Sequence, residues 1–575
     1  MSKKVDRRQF LKASGAAASG IAVTAGALAQ DAGPPLKSAA DLGIAEKLAG
    51  VNYTDAERAM IYDGLEGIVD RIRSRRAGTT IENTDAPALT FDPRLPGESY
   101  KVQTNTVRLA STPVRALPSD EDIAFASVSE QGAWLRSGAL TANRLLDIYL
   151  TRIRTHGPKL ECFITVMEES ARREAFQADS ELRAGRDRGP LHGIPYGMKD
   201  LADTAGVATT WGAAPYKDRV PAEDAVIVKR LREAGAVLVG KTTLGALAYG
   251  DKWFAGTTRN PWNLEEGSSG SSAGSASSTA GGLVSFAIGT ETLGSIVSPS
   301  SRCGATGLRP TFGRIPRTGA MALCWSLDKF GPICRYVEDT ALVLAAVNGA
   351  DAGDPSSIEW GFDYDATVAT AQDIKIGYNP AWFEGDNVTP SEKAMPNVVR
   401  ELGFDLTEIT LPDLPYGSLI TLLEVEGAAA FEELTLSDRD DMMTWQEPRA
   451  WPNTFRSAHL HSAVEAMQLD RFRRQVMRVM ADVYKQVDVI LCPSFGGGML
   501  LITNYTGHPC LVFPAGMETR ETVPLTGRPV PEERPTQSVP QSFTLWGNMF
   551  REDQILALGS LLERQINFKA NRPKL

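Results

Sequence analysis

Residues Gly267 to Gly282 are almost entirely glycine, serine and alanine, and a short apolar segment runs from Leu283 into Gly289 directly after them. Alone, a Gly/Ser tract behaves as a flexible linker. A linker is not followed at once by a strand and then by Cys303-Gly304-Ala305-Thr306-Gly307-Leu308. Glycines also let backbone approach a ligand closely and expose consecutive N–H groups, which is how a hole for a developing oxyanion is built. The tract therefore reads as part of a folded site, with a loop expected over 267–275.

From about Asp120 helical and strand patterns alternate. Thr141 is placed to cap a helix whose face carries Leu145, Ile148, Tyr149 and Ile153. Cys162 to Met167, Ala236 to Val239 and Val487 to Leu491 read as strands, and Ile555, Leu558, Leu562 and Ile566 mark a late amphipathic helix. This order predicts an α/β fold with a sheet covered by helices on both faces. Ahead of it, residues 30–118 read as an N-terminal extension. It holds one helix, announced by the capping box Thr54-Asp55-Ala56-Glu57 and by Ile61, Leu65, Ile68 and Ile72. An extended connector follows from about 78 to 120.

Residues 1–29 read as an export signal. Lys3 and Lys4, the pair Arg7-Arg8 followed by Phe10-Leu11-Lys12, an Ala/Gly stretch and Ala27-Leu28-Ala29 stand in the order of a twin-arginine-type leader. Cleavage after Ala29 and work in the periplasm or outside the cell are the expectations. No apolar run of about 18 residues follows residue 30, so no membrane span is expected after cleavage. A net charge of −10 repels phosphate backbones and argues against nucleic acid as a partner. The six cysteines are widely spread with no C-x-x-C. Only Cys324 and Cys334 suggest a pairing, and folding before export favours free thiols.

Three motifs invite over-reading. Gly235 to Thr242 matches the P-loop string, but its inner residues Ala236-Val237-Leu238-Val239 want to be a strand, not a phosphate cradle. Gly270-Ser271-Ser272-Ala273-Gly274 resembles a nucleophile elbow without the preceding strand that an elbow needs. His459 and His461 lack the carboxylate or thiolate cluster that would complete a metal site.

A serine needs a base to take its proton, and none of the five histidines is well placed. Lys199 follows a Gly/Pro-shaped, mostly apolar segment, His192 to Met198. Burial there would disfavour the ammonium and leave an amine able to act as a base.

Several segments together resemble the amidase signature family. They are Gly193-Ile194-Pro195…Lys199-Asp200, Gly270-Ser271-Ser272-Ala273-Gly274, Gly289 to Ile296, Cys303-Gly304…Gly307 to Thr311, Ser326-Leu327-Asp328…Gly331-Pro332 and Asn504 to Pro509. They stand in the family's order over about 120–570. The resemblance implies one large mixed sheet wrapped by helices, with 119–575 a single amidase signature domain. It implies Ser295 as nucleophile, Ser271 as bridging serine 24 residues earlier, on a cis peptide, and Lys199 as base. Backbone N–H groups of Thr292, Leu293, Gly294 and Ser295 would form the oxyanion hole. The expected reaction is amide hydrolysis through an acyl-enzyme on a small-molecule or peptide amide, with no metal or organic cofactor. Leu293, Val297, Glu291 and Ala273 depart from the usual Asp-x-Gly-Gly-Ser-Ile-Arg and Ser-Ser-Gly-Gly patterns. Two other roles stay open: the glutamine-hydrolysing component of a tRNA-dependent amidotransferase, and a non-catalytic binding protein on this scaffold. Residues 30–118 would either cover the active site or form a homodimer contact.

Overall fold

The computed structural model describes residues 38–109, 112–366, 373–385, 388–525 and 532–575. The export signal expected over 1–29 lies outside them. The chain divides into two compact units. One is Val51–Thr80 with the described residues up to Lys47; the other is Leu48–Gly50 with Ile81–Leu575.

In the first unit, helix α1 (Asp55–Gly78) begins at the expected capping box. Thr54 Oγ1 accepts from the Glu57 N–H, and the Glu57 carboxylate accepts from the Thr54 N–H at 2.7 Å. Arg58 pairs with Glu46 at 2.6 Å. No residue of α1 is buried, and Ile68 and Ile72 are each 45 % exposed.

The larger unit is built on one eleven-stranded sheet. Its strands are β1 (Phe163–Val166), β2 (Pro195–Lys199), β3 (Val237–Thr242), β4 (Phe286–Glu291), β5 (Thr306–Arg309) and β6 (Lys329–Cys334). The remainder are β7 (Ile376–Tyr378), β8 (Leu406–Glu408), β9 (Val489–Pro493), β10 (Cys510–Glu521) and β11 (Thr536–Gly547). Their order across the sheet is β8-β7-β9-β11-β10-β5-β6-β4-β2-β3-β1. The pairs β2–β3 and β2–β4 are parallel, whereas β4–β6, β6–β5 and β5–β10 are antiparallel, so the sheet is mixed as expected.

Helices that matter for the site are α2 (Ala142–Leu160), α3 (Ala273–Ala280), α4 (Val297–Cys303), α5 (Met499–Thr506) and α6 (Glu552–Ile566). Both faces of the sheet are covered, as two neighbouring residues of β10 show. Leu511 reaches Gly559 of α6, while Val512 lies with Ser300 of α4 around Gly307. Successive strand residues point to opposite faces, so α4 and α6 pack on opposite sides. Thr141 caps α2, accepting from the Arg144 N–H at 3.1 Å.

The structure corrects the reading of the Gly/Ser tract. Residues 273–275, expected as the end of the loop, instead open α3 (273–280), every residue of which is buried. Helix propensity disfavours such a composition, but close packing overrides it. A Cβ on Gly274 would lie 2.3 Å from Cys162 O and 2.4 Å from Thr243 N, so only small residues let α3 come this close to its neighbours. Residues 81–118 belong to the larger unit. Their described part holds no helix, and Val107–Arg108 pairs in parallel with Tyr364–Asp365. All six cysteines are buried and free, so Cys324 and Cys334 form no disulfide. No described helix is long and apolar enough to cross a membrane.

Candidate active site

Strand β2 ends on Lys199, whose side chain is fully buried. Its Nζ lies 2.8 Å from Ser271 Oγ, 3.0 Å from Ser272 Oγ and 2.8 Å from Thr290 Oγ1. Sheet order brings these groups together, because Tyr196, Gly197 and Met198 of β2 pair with Phe286, Ala287 and Ile288 of β4. Lys199 makes no ion pair with any described residue. Burial drives its pKa well below the ordinary lysine value, against the weaker attraction of Asp328 and Glu291.

The serine turn is stitched to β4. Ser272 Oγ donates to Thr290 O and accepts from the Thr290 N–H, each at 3.0 Å, and Ser275 Oγ donates to Ile288 O at 2.9 Å. The Gly270–Ser271 peptide is cis. Position 270 admits only glycine, since a Cβ there would lie 1.8 Å from Gly250 O. The Ser272 N–H donates to Ser295 O at 3.1 Å, which ties the serine turn to the Ser295 loop.

That loop, residues 292–295, leaves the end of β4 and enters α4. Glu291, fully buried, holds both ends. Its Oε2 accepts from the Ile296 and Val297 N–H groups at 2.8 and 2.9 Å, and its Oε1 accepts from Arg309 and Asn504, both at 2.8 Å. Burial alone would raise its pKa, but Arg309 and the other donors outweigh it and the carboxyl sits below its usual range. None of the N–H groups of Thr292, Leu293, Gly294 and Ser295 donates to a backbone carbonyl of the described residues. Gly294 takes a φ of +85° and Leu293 no positive φ, so the leucine that departs from the family pattern occupies an ordinary conformation. Thr292 Oγ1 donates to Asp328 Oδ1 at 2.5 Å, and Asp328 Oδ2 accepts from the N–H groups of Leu323 and Cys324.

A cavity of about 120 Å³ adjoins this centre, with Thr290 and Thr292 in its wall. Lys199, Ser271 and Ser295 are not themselves part of that wall.

Lys199 and Ser271 thus meet, and the Ser272 N–H bond to Ser295 O ties the loop of Ser295 to the same turn. Sequence reasoning assigned no role to Ser272, Thr290 or Asp328, and treated Glu291 only as a departure. Two of the three motifs set aside above have other duties here. Lys241, in the P-loop string, is the buried partner of Asp200 at 3.0 Å within strand β3. His461 pairs with Glu424 at 3.1 Å, and no described group of three His, Cys, Asp or Glu residues is arranged to hold a metal.

The family model described as Amidase matches residues 144–555. The A component of the glutamyl-tRNA(Gln) amidotransferase of Roseiflexus castenholzii is 31% identical over 482 residues, covering 78% of this chain and 97% of that protein. Its counterpart from Coxiella burnetii is 30% identical over 498 residues, covering 78% and 99%. The crystal structure of a peptide amidase from Stenotrophomonas maltophilia superposes with a TM-score of 0.65 at 27% identity, covering 78% of this chain and 98% of that one.

Proposed function

The chain belongs to the amidase family and is an amide-hydrolysing enzyme, and from that premise we propose that it works through an acyl-enzyme on Ser295, with Ser271 and Lys199 as proton relay. Neutral Lys199 accepts the Ser271 proton as Ser271 accepts that of Ser295, and Ser295 Oγ attacks the amide carbonyl carbon. The oxyanion is met by N–H groups of residues 292–295. Protons return along the relay to the departing ammonia or amine, and water then hydrolyses the ester to free acid and Ser295.

The observation that carries this reading is the buried lysine with hydroxyl partners and no carboxylate. A lysine in that setting exchanges protons with serines instead of holding a salt bridge. The N–H groups of the 292–295 loop, uncommitted to backbone carbonyls, and the loop's tie to the serine turn support it further. A fluorophosphonate probe on the purified protein tests it. Labelling at Ser295, lost in Ser295→Ala together with amide hydrolysis, is the expected result. Amide hydrolysis surviving in Ser295→Ala would end the proposal.

The names of the amidotransferase relatives favour one second reading, the glutamine-hydrolysing component of such an enzyme. Release of ammonia from free glutamine at a rate matching simple amides would favour it. Location is part of the proposal: the leader pattern of residues 3–29 directs the protein out of the cytoplasm. Arg7→Lys with Arg8→Lys should trap it inside, and unchanged export of that variant would sink the leader assignment.

A further inference from the structure

Thr84 and Ala86 stand ahead of the 144–555 stretch matched by the family, yet both line the cavity beside Thr290 and Thr292. Their segment is pinned there. Asn83 Nδ2 donates to Ala322 O at 2.8 Å and to Ala430 O at 3.2 Å, while Asn83 Oδ1 accepts from the Ala322 N–H at 2.8 Å. One amide thereby uses its donor and acceptor on a single backbone residue of the cavity wall, which fixes both position and orientation. Glu82 and Asp85 close the turn around it, with the Asp85 N–H on Glu82 O and the Glu82 N–H on Asp85 Oδ2, both at 2.9 Å.

Inside, the wall is mainly carbon, from Leu201, Met321, Leu323, Trp325 and Phe330 among others. The charged residues that reach it are occupied. Arg317 is bound by Asp354, Trp325 O and Asp328 O. Asp328 is held by Thr292 and two backbone N–H groups, and Lys329 donates to Leu327 O. Lys329 makes no ion pair with a described residue, but burial works against its ammonium, so a charged acyl group would lose water there for little counter-charge. Size sets the second limit: an apolar cavity of about 150 Å³ holds one benzene, and this one measures about 120 Å³.

We propose that residues 83–86 form the outer wall of the acyl site, and that this site takes amides whose acyl group is neutral, apolar and no larger than about one ring. The proposal rests on Ser295 being the nucleophile. The full chain is assayed for ammonia release from acetamide, isobutyramide, benzamide, succinamate and 2-naphthamide. Benzamide should exceed both 2-naphthamide and succinamate in kcat/KM by about tenfold or more. Asn83→Ala should raise the naphthamide-to-benzamide ratio about tenfold. Thr84→Trp, at an exposed position whose folding is not at stake, should lower the benzamide-to-acetamide ratio by a similar factor. The proposal is overturned if 2-naphthamide or succinamate is hydrolysed as well as benzamide, or if Thr84→Trp leaves the ratios unchanged. Those results, with Ser295 still labelled by the probe, overturn the acyl-site proposal alone. No labelling and no hydrolysis of any amide would overturn the nucleophile assignment with it.

Discussion

Lys199 Nζ lies 2.8 Å from Ser271 Oγ without a carboxylate partner, while one strand away the equally buried Lys241 lies 3.0 Å from Asp200. Both lysines are pushed down in pKa by burial, but Asp200 opposes the shift at Lys241 directly. Two lysines in one sheet thus have opposite surroundings. Lys241, which also donates to Ala202 O and Thr209 Oγ1, fastens β3 to the turn after β2. Lys199, among hydroxyls, is the one free to shed a proton.

This contrast sets the pH profile. In the proposed relay the neutral amine is the working form, so kcat/KM should rise with pH and level off once Lys199 is deprotonated. Because the shift is downward, the midpoint should fall well below the free lysine value of 10.5. Lys329, with a pKa lowered to about 7 by burial, is a second buried lysine near the cavity. Lys329→Met should therefore leave the midpoint in place. A midpoint near 10.5, or one that vanishes in Lys329→Met, would take Lys199 out of the base's role.

Glu291 should matter for both stability and turnover. Replacing it with leucine strands the buried Arg309 guanidinium and frees the Ile296 and Val297 N–H groups. Removing one partner of a buried ion pair costs about 3–5 kcal/mol. Urea denaturation of Glu291→Leu should show a loss of that order, with kcat falling in whatever folded protein remains. A variant as stable and active as the parent would show that the 292–295 loop does not depend on this anchor.

How far the sequence foretold these features follows from where each is encoded. Lys199 and Ser271 stood in local motifs 72 residues apart, and the resemblance named both before their contact could be seen. A sheet covered on both faces followed from the alternating patterns, its mixed character only from the resemblance, and the capped helices from Thr54 and Thr141. Ser272 and Thr290 were silent because their bonds arise from the register of β2 against β4, which no local pattern encodes. Helix α3 was missed for a related reason: its Gly, Ser and Ala residues are held helical by what surrounds them. Thr84 and Ala86 lie in a segment that reads as an extended connector, and covering the active site was one of two roles open to it without any residue being singled out.

Gly274 tests the packing argument directly. Its missing Cβ would collide with backbone atoms of Cys162 and Thr243 at 2.3–2.4 Å, and neither can move without shifting a strand end. Gly274→Ala should cost about 1–3 kcal/mol or more by overpacking. Gly64→Ala supplies the control, since nothing lies within 4 Å of that site on α1 and alanine is the better helix former. Equal effects of the two substitutions on thermal unfolding would refute close packing as the reason for the small residues of α3.

A buried carboxyl, Asp339, and a part-buried one, Glu563, predict a loss of stability as pH rises. Burial raises Asp339 to about 7 and Glu563 to about 8, and a charge on Asp339 adds to the cost of one on Glu563. Asp339 accepts from the Val128 N–H and Glu563 from the Val337 N–H; both bonds favour the charged form but do not outweigh burial. Arg335 lies near Asp339 and Lys569 and Arg564 near Glu563 as partial counter-charges, while Glu338 adds to the repulsion at Asp339. Folded pKa values above the unfolded ones mean that the folded state holds more protons across this interval. The associated stability is full below the ordinary carboxyl values and is lost as pH rises through about 7 and 8. Unfolding midpoints measured from about pH 5 to 9 should therefore decline from the acid side and level off above about 8. Glu563→Gln, which keeps an acceptor for Val337 without an ionisable group, should flatten that decline. An unchanged slope in this variant would assign the alkaline loss to other groups.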